Sequence, residues 1–357
     1  ALMTWMTTFR SEQRPSAPAS PLARIASIEV PDLHRRTTRR RLLQAVSACS
    51  LLPMSSLAST APPAPKVDLG ELVRVDGVAS AHIEPRPVDI WLPPGLNARE
   101  PAVLLFMHDG QMLFDARTTW NRQAWNAHVA VHSLMQAGRI PPTIIVGVHN
   151  RDGQRYAEYF PQKALSLATE AEREEYRRDE GGGRLLADAY LRHLVLEIKP
   201  LVESRWPVRQ GPRAAFTAGA SMGGLISMYA LCEYPEVFGG AACLSTHWLG
   251  RGTQRGLDGV DNQELPRALS SYLRAHLPKP GRHRLWMDRG DDALDSLYDH
   301  GLKAADAVLR ERGYTTEQAT TRVFPGTGHN EAAWAARLPE SLAFTLGAAT
   351  AARSGRR

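Results

Sequence analysis

Gly219-Ala220-Ser221-Met222-Gly223-Gly224 is the stretch on which the reading of this chain turns. Ahead of it, Ala214 to Ala218 is a short apolar run of strand type that feeds Gly219. Behind it, Leu225 to Tyr234 has the pattern of a helix. A G-x-S-x-G sequence set between strand and helix predicts a tight turn with the serine at its apex. Such a turn puts the serine backbone under strain and projects its hydroxyl at the carboxyl edge of a sheet. The small residues Gly219 and Gly223 let strand and helix come close enough, and the helix N-terminus favours negative charge developing beside it. Ser221 is therefore the candidate nucleophile; the competing reading is an incidental serine in a glycine-rich turn.

Outward from this motif, short apolar runs alternate with longer helical patterns. Val88 to Leu92, Ala102 to Met107, Thr143 to Val148, Gly240 to Leu244, Arg284 to Met287 and Thr321 to Phe324 read as strands. Trp125 to Met135, Leu185 to Val202, Leu265 to Leu277, Leu294 to Arg312 and Glu331 to Leu346 read as helices. In the second of these, Leu191, Leu194, Val195, Ile198 and Leu201 recur at spacings of three and four, which predicts an amphipathic helix. The charged stretch Thr169 to Arg184, with Gly181-Gly182-Gly183, reads as a surface loop or flap. This alternation predicts an α/β fold, a mostly parallel central sheet with helices on both faces, as one catalytic domain over residues 66–350 followed by a basic tail over 351–357.

A serine hydroxyl needs a base, and the base needs an orienting acid. In an α/β sheet with the serine on such a turn, acid and then histidine follow it in the chain. Five histidines do so: His247, His276, His283, His300 and His329. His276, His283 and His300 have charged neighbours and read as surface residues. His247, just after a strand, is a candidate cleft residue. His329 lies in Gly326-Thr327-Gly328-His329-Asn330-Glu331, between the last strand and the last helix, where a base can hang over the serine. The acid is expected after the strand Arg284–Met287. There Asp288, Asp291, Asp292 and Asp295 are all within reach, and spacing leaves the choice open. For the oxyanion, the backbone N–H of Met222 and that of Gln111, in the loop His108-Asp109-Gly110-Gln111, are the expected donors.

Of the net charge of +6, the first 58 residues carry +5, through eight arginines and three acids. A nucleic-acid footprint belongs on the folded domain, so this distribution argues against nucleic acid as a partner. Residues 1–61 read instead as a leader. Thr38-Arg39-Arg40-Arg41-Leu42-Leu43-Gln44 is similar to a twin-arginine export signal, and Ser56-Leu57-Ala58 has the small–x–small form of a cleavage site. The apolar run between them is too short and polar for a stable membrane span, so an exported, periplasmic or extracellular protein is expected. A disordered basic N-terminus, or lipidation at Cys49 in Val46-Ser47-Ala48-Cys49, are the alternatives. Ala61-Pro62-Pro63-Ala64-Pro65 forms the hinge. The three cysteines form neither a disulfide framework nor a zinc pattern; Cys232 and Cys243 read as small buried residues, with a single disulfide between them as the alternative. There is no metal-ligand spacing, P-loop or dinucleotide fingerprint, so no cofactor and no metal is implied.

Several longer stretches together resemble the esterase-D-like or enterochelin-esterase-like branch of the α/β hydrolases. They are Leu105 to Asp115, Ile144 to Pro161, Ala218 to Leu225 and Phe324 to Pro339. The resemblance implies the α/β-hydrolase fold and a serine carboxylic ester hydrolase working through an acyl-enzyme with a Ser-His-Asp triad. In its pattern, Gly290, Leu294-Asp295 and Tyr298 favour Asp295 as the acid, with Asp292 in reserve. It also implies that Trp120, Arg155 and Glu158 line or brace the cleft; ordinary packing and a structural ion pair are the rival reading. The substrate it implies is a small-molecule or polysaccharide-linked ester. An acyltransferase using the same triad, and an inactive secreted binding module on the same fold, are the alternatives.

Overall fold

The structure is a computed structural model. It describes residues 63–211, 213–252 and 263–354, the last seven by backbone alone. The chain divides into two compact units, Ala1–Ser59 and Thr60–Arg357. The first lies outside the described residues, and with it the export-signal and lipidation readings. Of the expected basic tail, residues 351–354 are the end of the last helix, and 355–357 lie outside the described residues.

The described strands form one sheet: β1 Glu71–Val75, β2 Val88–Leu92, β3 Val103–His108, β4 Thr143–Val148, β5 Ala215–Ala220, β6 Phe238–Leu244, β7 Arg284–Gly290 and β8 Ala319–Phe324. Their order is β1-β2-β4-β3-β5-β6-β7-β8. β1 and β2 pair antiparallel, as do β2 and β4; every later pairing is parallel. β3, β4, β5 and β6 are buried at every residue, which is why they read in sequence as unbroken apolar runs rather than alternating ones. The partly exposed strands β1 and β8 close the two edges. The expected parallel sheet is thus present, with an antiparallel hairpin on one edge whose first strand, β1, the sequence reading missed.

Helices cover both faces. They are α1 Ala127–Gln136, α2 Arg155–Tyr159, α3 Gln162–Leu165, α4 Glu170–Asp179, α5 Ala187–Arg192, α6 Lys199–Arg205, α7 Met222–Glu233, α8 Glu264–His276, α9 Asp299–Glu311 and α10 Glu331–Ser354. One core holds Leu225 and Tyr229 of α7, Leu269 of α8 and Leu309 of α9 against one face of the sheet. A second holds Val131 and Leu134 of α1 with Leu338 and Leu342 of α10 against Trp286 on the other. In α7 every residue except Glu233 is buried, as expected of a helix wedged between the sheet and an outer layer.

Two elements depart from expectation. The helix expected over Leu185 to Val202 is α5, a π-helical turn His193–Ile198, and α6. Pro200, with no N–H to give to the ladder, lies two residues beyond the π-helical turn, in the first turn of α6. The charged stretch expected as a loop contains α4. Its sequence lacks an apolar stripe because the helix buries only Glu172 and Tyr176. Thr169 caps it by accepting from the Glu172 N–H at 3.3 Å, Glu170 and Glu172 lie at the positive end, and Arg177 and Arg178 at the negative end. Cys232 and Cys243 are buried free thiols. Thr169→Ala is expected to remove the cap and about 1 kcal/mol of stability. That lowers the melting temperature by about 2–4 °C. Thermal unfolding beside Thr169→Ser, which retains a hydroxyl, checks it.

Candidate active site

Ser221 sits between β5 and α7 with φ 60° and ψ −124°, a left-handed-side conformation that a residue with a Cβ adopts only under constraint. The constraint is visible in its neighbours. A Cβ at Gly219 would lie 2.6 Å from the Gly223 carbonyl oxygen, so strand and helix touch backbone to backbone. The Ser221 N–H donates to the Leu244 carbonyl at the end of β6 (3.0 Å), and its carbonyl accepts from the His247 N–H (3.1 Å). Met222 is the first residue of α7, so its N–H is among those a helix leaves without an intrahelical acceptor.

Of the five histidines considered, the structure joins one to an aspartate in the expected loop. His329 Nδ1 lies 2.6 Å from Asp295 Oδ1. Asp295 is fully buried on the 3₁₀ turn Ala293–Tyr298, and its second oxygen accepts from the Ser245 hydroxyl (2.5 Å) and the Gly290 N–H (2.6 Å). Burial pushes the Asp295 carboxyl up, yet the bonds from His329, Ser245 and Gly290 hold it below the ordinary carboxylate range. Tyr298 spans the site: its ring meets that of His329 edge-on at 5.7 Å, and its hydroxyl faces the Ser221 side chain. With Nδ1 held by Asp295, Nε2 is the ring nitrogen left to take a proton.

The loop after β3 is held against the Ser221 turn by charge. Asp109 adopts φ 57° and ψ 46°, which an aspartate tolerates. Its carboxylate takes two bonds from Arg155, both 2.8 Å, and a third from Asn150 Nδ2 at 2.5 Å. The same guanidinium reaches the Ala220 carbonyl at 3.4 Å, one residue before Ser221. Burial raises the Asp109 carboxyl, but the Arg155 charge and bonds bring it below its ordinary value. Gly110 is demanded by packing, since a Cβ there would meet the Gly147 backbone at 2.5 Å. Gln111 follows in the 3₁₀ turn Gly110–Met112, and its side-chain oxygen accepts from the Asn150 N–H at 3.2 Å.

Residues 80–345 match the family described as "Putative esterase". This chain belongs to the putative-esterase family. Carboxylic ester hydrolysis is the activity that membership assigns to it. The uncharacterized protein YbbA of Bacillus subtilis (strain 168) is 27% identical over 272 residues, 73% of this chain and 93% of its own length. Among solved structures, an IroE-like serine hydrolase from Shewanella oneidensis has a TM-score of 0.55 at 20% identity, covering 76% of this chain and 79% of that one. The enterobactin esterase FES of Shigella flexneri has a TM-score of 0.54 at 19% identity, over 78% of this chain and 60% of that one. The ferulic acid esterase AmCE1/Fae1A of Anaeromyces mucronatus has a TM-score of 0.53 at 17% identity, over 79% and 93%. At these identities the likeness is one of fold, and the fold they share with this esterase is the α/β-hydrolase fold. Among the described residues no helix is long and apolar enough to cross a membrane, and no three metal-ligating side chains converge.

Some expected cleft residues of this esterase lie elsewhere. Glu158 is fully buried and paired to Arg86 through two bonds of 2.6 and 2.7 Å, so it is a structural ion pair beneath the surface. His247 is buried with both ring nitrogens engaged, Nδ1 by the Tyr298 hydroxyl (2.6 Å) and Nε2 by the Arg251 carbonyl (2.5 Å). Trp120 is 83% exposed. Its neighbour Asn121 donates to Glu331, two residues from His329, at 2.7 Å. Arg155 braces the Asp109 loop. Asp292 is exposed; its carboxylate accepts from the Ala293 N–H and its own N–H donates to the Thr327 carbonyl, while the His329 Nδ1 partner is Asp295. Asp288, expected in the loop, belongs to β7, which runs on to Gly290, and is fully buried. His283, expected at the surface, is buried and bonded to the Pro235 carbonyl. Sequence reasoning missed Ser245, whose signal was slight: a serine one residue past a buried strand.

Arg155→Met is expected to leave Asp109 without its cation and to cost on the order of 3 kcal/mol, because an ion pair is being broken rather than replaced. Adding Asp109→Asn removes the orphaned charge and is expected to recover most of the loss. Chemical denaturation of both variants measures it; equal instability of single and double variants would contradict the pairing.

Proposed function

We propose that this esterase works through an acyl-serine intermediate, with Ser221 as nucleophile, His329 as base and Asp295 as orienting acid. The observation that carries the reading is the 2.6 Å bond from His329 to Asp295, made by a histidine whose ring packs on the tyrosine that faces Ser221. Asp295 accepts the Nδ1 proton, so the imidazole presents bare Nε2. Ser221 Oγ attacks the ester carbonyl as its proton passes to Nε2. The carbonyl oxygen becomes an oxyanion held by the backbone N–H groups of Met222 and Gln111. Collapse of the tetrahedral species expels the alkoxide, which takes the proton from His329 and leaves as the alcohol. Water then attacks the acyl-serine, giving its proton to His329, and the acid departs as Ser221 recovers its own.

The strain at Ser221 supports this reading, since a positive φ at a residue with a Cβ persists only where the surroundings enforce it. The ferulic acid and enterobactin esterases among the fold's neighbours support a carboxylic ester as substrate. Export of the chain by its twin-arginine-like leader is part of the same proposal, and detection of the mature protein outside the cytoplasm tests it.

Hydrolysis of p-nitrophenyl acetate and butyrate by the full chain, beside Ser221→Ala, tests the chemistry. Activity is expected in the parent and a loss of up to about 10⁶-fold in kcat in the variant, as for removal of a triad nucleophile. Equal activity in both would remove Ser221 from the reaction. Asp295→Asn is expected to keep the fold and lose on the order of 10⁴-fold, since the imidazole would then be held in the wrong tautomer.

A further inference from the structure

Behind Asp295 lies a buried polar cluster that the reaction described above does not use. Its centre is Ser245, fully buried and with φ 40°, a backbone region that favours glycine over serine. Three side chains converge on its hydroxyl. Trp334 Nε1 donates to it at 2.9 Å, and Arg337 Nη2 donates to it at 2.7 Å. Asp295 Oδ2 lies 2.5 Å away. A hydroxyl has one proton and two lone pairs. Indole and guanidinium can only donate, so they fill both lone pairs, and the single Ser245 proton is left with one destination, the Asp295 carboxylate.

The charges are arranged to match. Arg337, from α10, is 2% exposed. Its guanidinium lies 3.7 Å from Asp295 Oδ2 and 3.4 Å from Asp288 Oδ1, and it stacks over the Phe324 ring at 5.3 Å. Nε and Nη1 of Arg337 make no hydrogen bond among the described residues, so this arginine supplies charge more than it supplies bonds. Asp288 accepts from the Ser245 N–H at 3.0 Å and from Trp286 Nε1 at 2.8 Å. Burial raises the Asp288 carboxyl to about 6, against the pull of Arg337. The groups facing Asp295 are thus His329 from the loop before α10, Arg337 from α10, Asp288 from β7, Tyr298 from the 3₁₀ turn and Ser245 from the end of β6; Tyr298 and His247 also face His329.

We propose that Ser245 is a positioning residue for the catalytic base: with its proton direction locked by Trp334 and Arg337, it anchors Asp295 as the ionised, correctly turned partner of His329. This rests on the triad reading above. The Ser245 bond withdraws charge from Asp295, and the Arg337 cation opposes a second positive charge on His329. Removing either makes the protonated imidazole more favourable, so the pH at which the base is half-protonated rises.

Ser245→Gly is the informative variant, because glycine suits the positive φ while the hydroxymethyl group and its bonds are lost. Two readouts are compared with the parent in the full-length chain. One is the NMR titration of the His329 imidazole in a Ser221→Ala background, assigned by its disappearance in His329→Gln. The other is the acid limb of kcat/KM against pH. Both midpoints are expected to move up by about one unit. With the acid less firmly held, kcat falls on the order of 10-fold at unchanged KM. Arg337→Gln, which keeps a donor for Ser245 and removes the charge, serves if Ser245→Gly does not fold, and is expected to shift the midpoint in the same direction. An unmoved imidazole midpoint in a folded variant overturns the proposal, whatever happens to kcat. The imidazole titration needs no turnover. A parent without Ser221-dependent hydrolysis would therefore sink the triad reading alone and leave this test standing.

Discussion

The backbone contact between Gly219 and Gly223 is the constraint on which the rest of the site depends. Because strand and helix touch there, the residue between them cannot relax to negative φ, and Ser221 is held at 60°. The strain is not left to the turn alone. The end of β6 clamps it from beside, with the Leu244 carbonyl taking the Ser221 N–H and the His247 N–H returning to the Ser221 carbonyl. Four consecutive residues, 244 to 247, therefore touch the serine turn at their ends and the Asp295 anchor in their middle. A shift in β6 would move both, which is a physical reason for the run of fully buried residues that locks this strand in the sheet.

Around this turn the esterase places buried charge in pairs. Glu158, on the buried side of α2, pairs with Arg86, and Arg74 and His149 share Asp89 on β2. Arg155 ties Asp109 to the carbonyl before Ser221. Pairs of this kind give little net stability over apolar residues of similar volume, but losing one partner strands a buried charge and is costly. Their effect is to define position: Asp109 is pinned from the side chain, and the amide of Gln111, two residues on, is pinned with it.

The same economy of partners governs the acid. Asp295 has three donors and is fully buried, so its orientation is set from within the protein. Two of those donors, Gly290 and Ser245, come from the ends of neighbouring parallel strands, and the third hangs from the loop after β8. A parallel sheet gathers its carboxyl-end loops along one edge, so residues far apart in the chain meet there. Proteins with the same fold at 17–20% identity show how much sequence can change while the fold persists.

Local chemistry in the chain settled much of this in advance. The G-x-S-x-G turn needs only neighbouring residues to be specified, so the strand, the turn and the helix of Ser221 were all legible. Buried strands declare themselves as apolar runs, and β2 to β7 could be read for that reason. The glycine-flanked His329 was legible because a loop between the last strand and helix needs flexible residues. The charged helix α4 was not, since it is held by a cap and end charges in place of an apolar stripe. Nor could spacing choose among four aspartates. That choice depended on β7 running on to Gly290, which draws Asp288 into the sheet, and on the 3₁₀ turn that brings Asp295 round to His329. Resemblance to a family favoured Asp295, but the bond itself is a tertiary fact. Ser245, Arg337 and Trp334 were beyond the sequence altogether. They come from β6 and α10, about ninety residues apart, and what makes them a unit is the direction of one proton, which only their convergence in space decides.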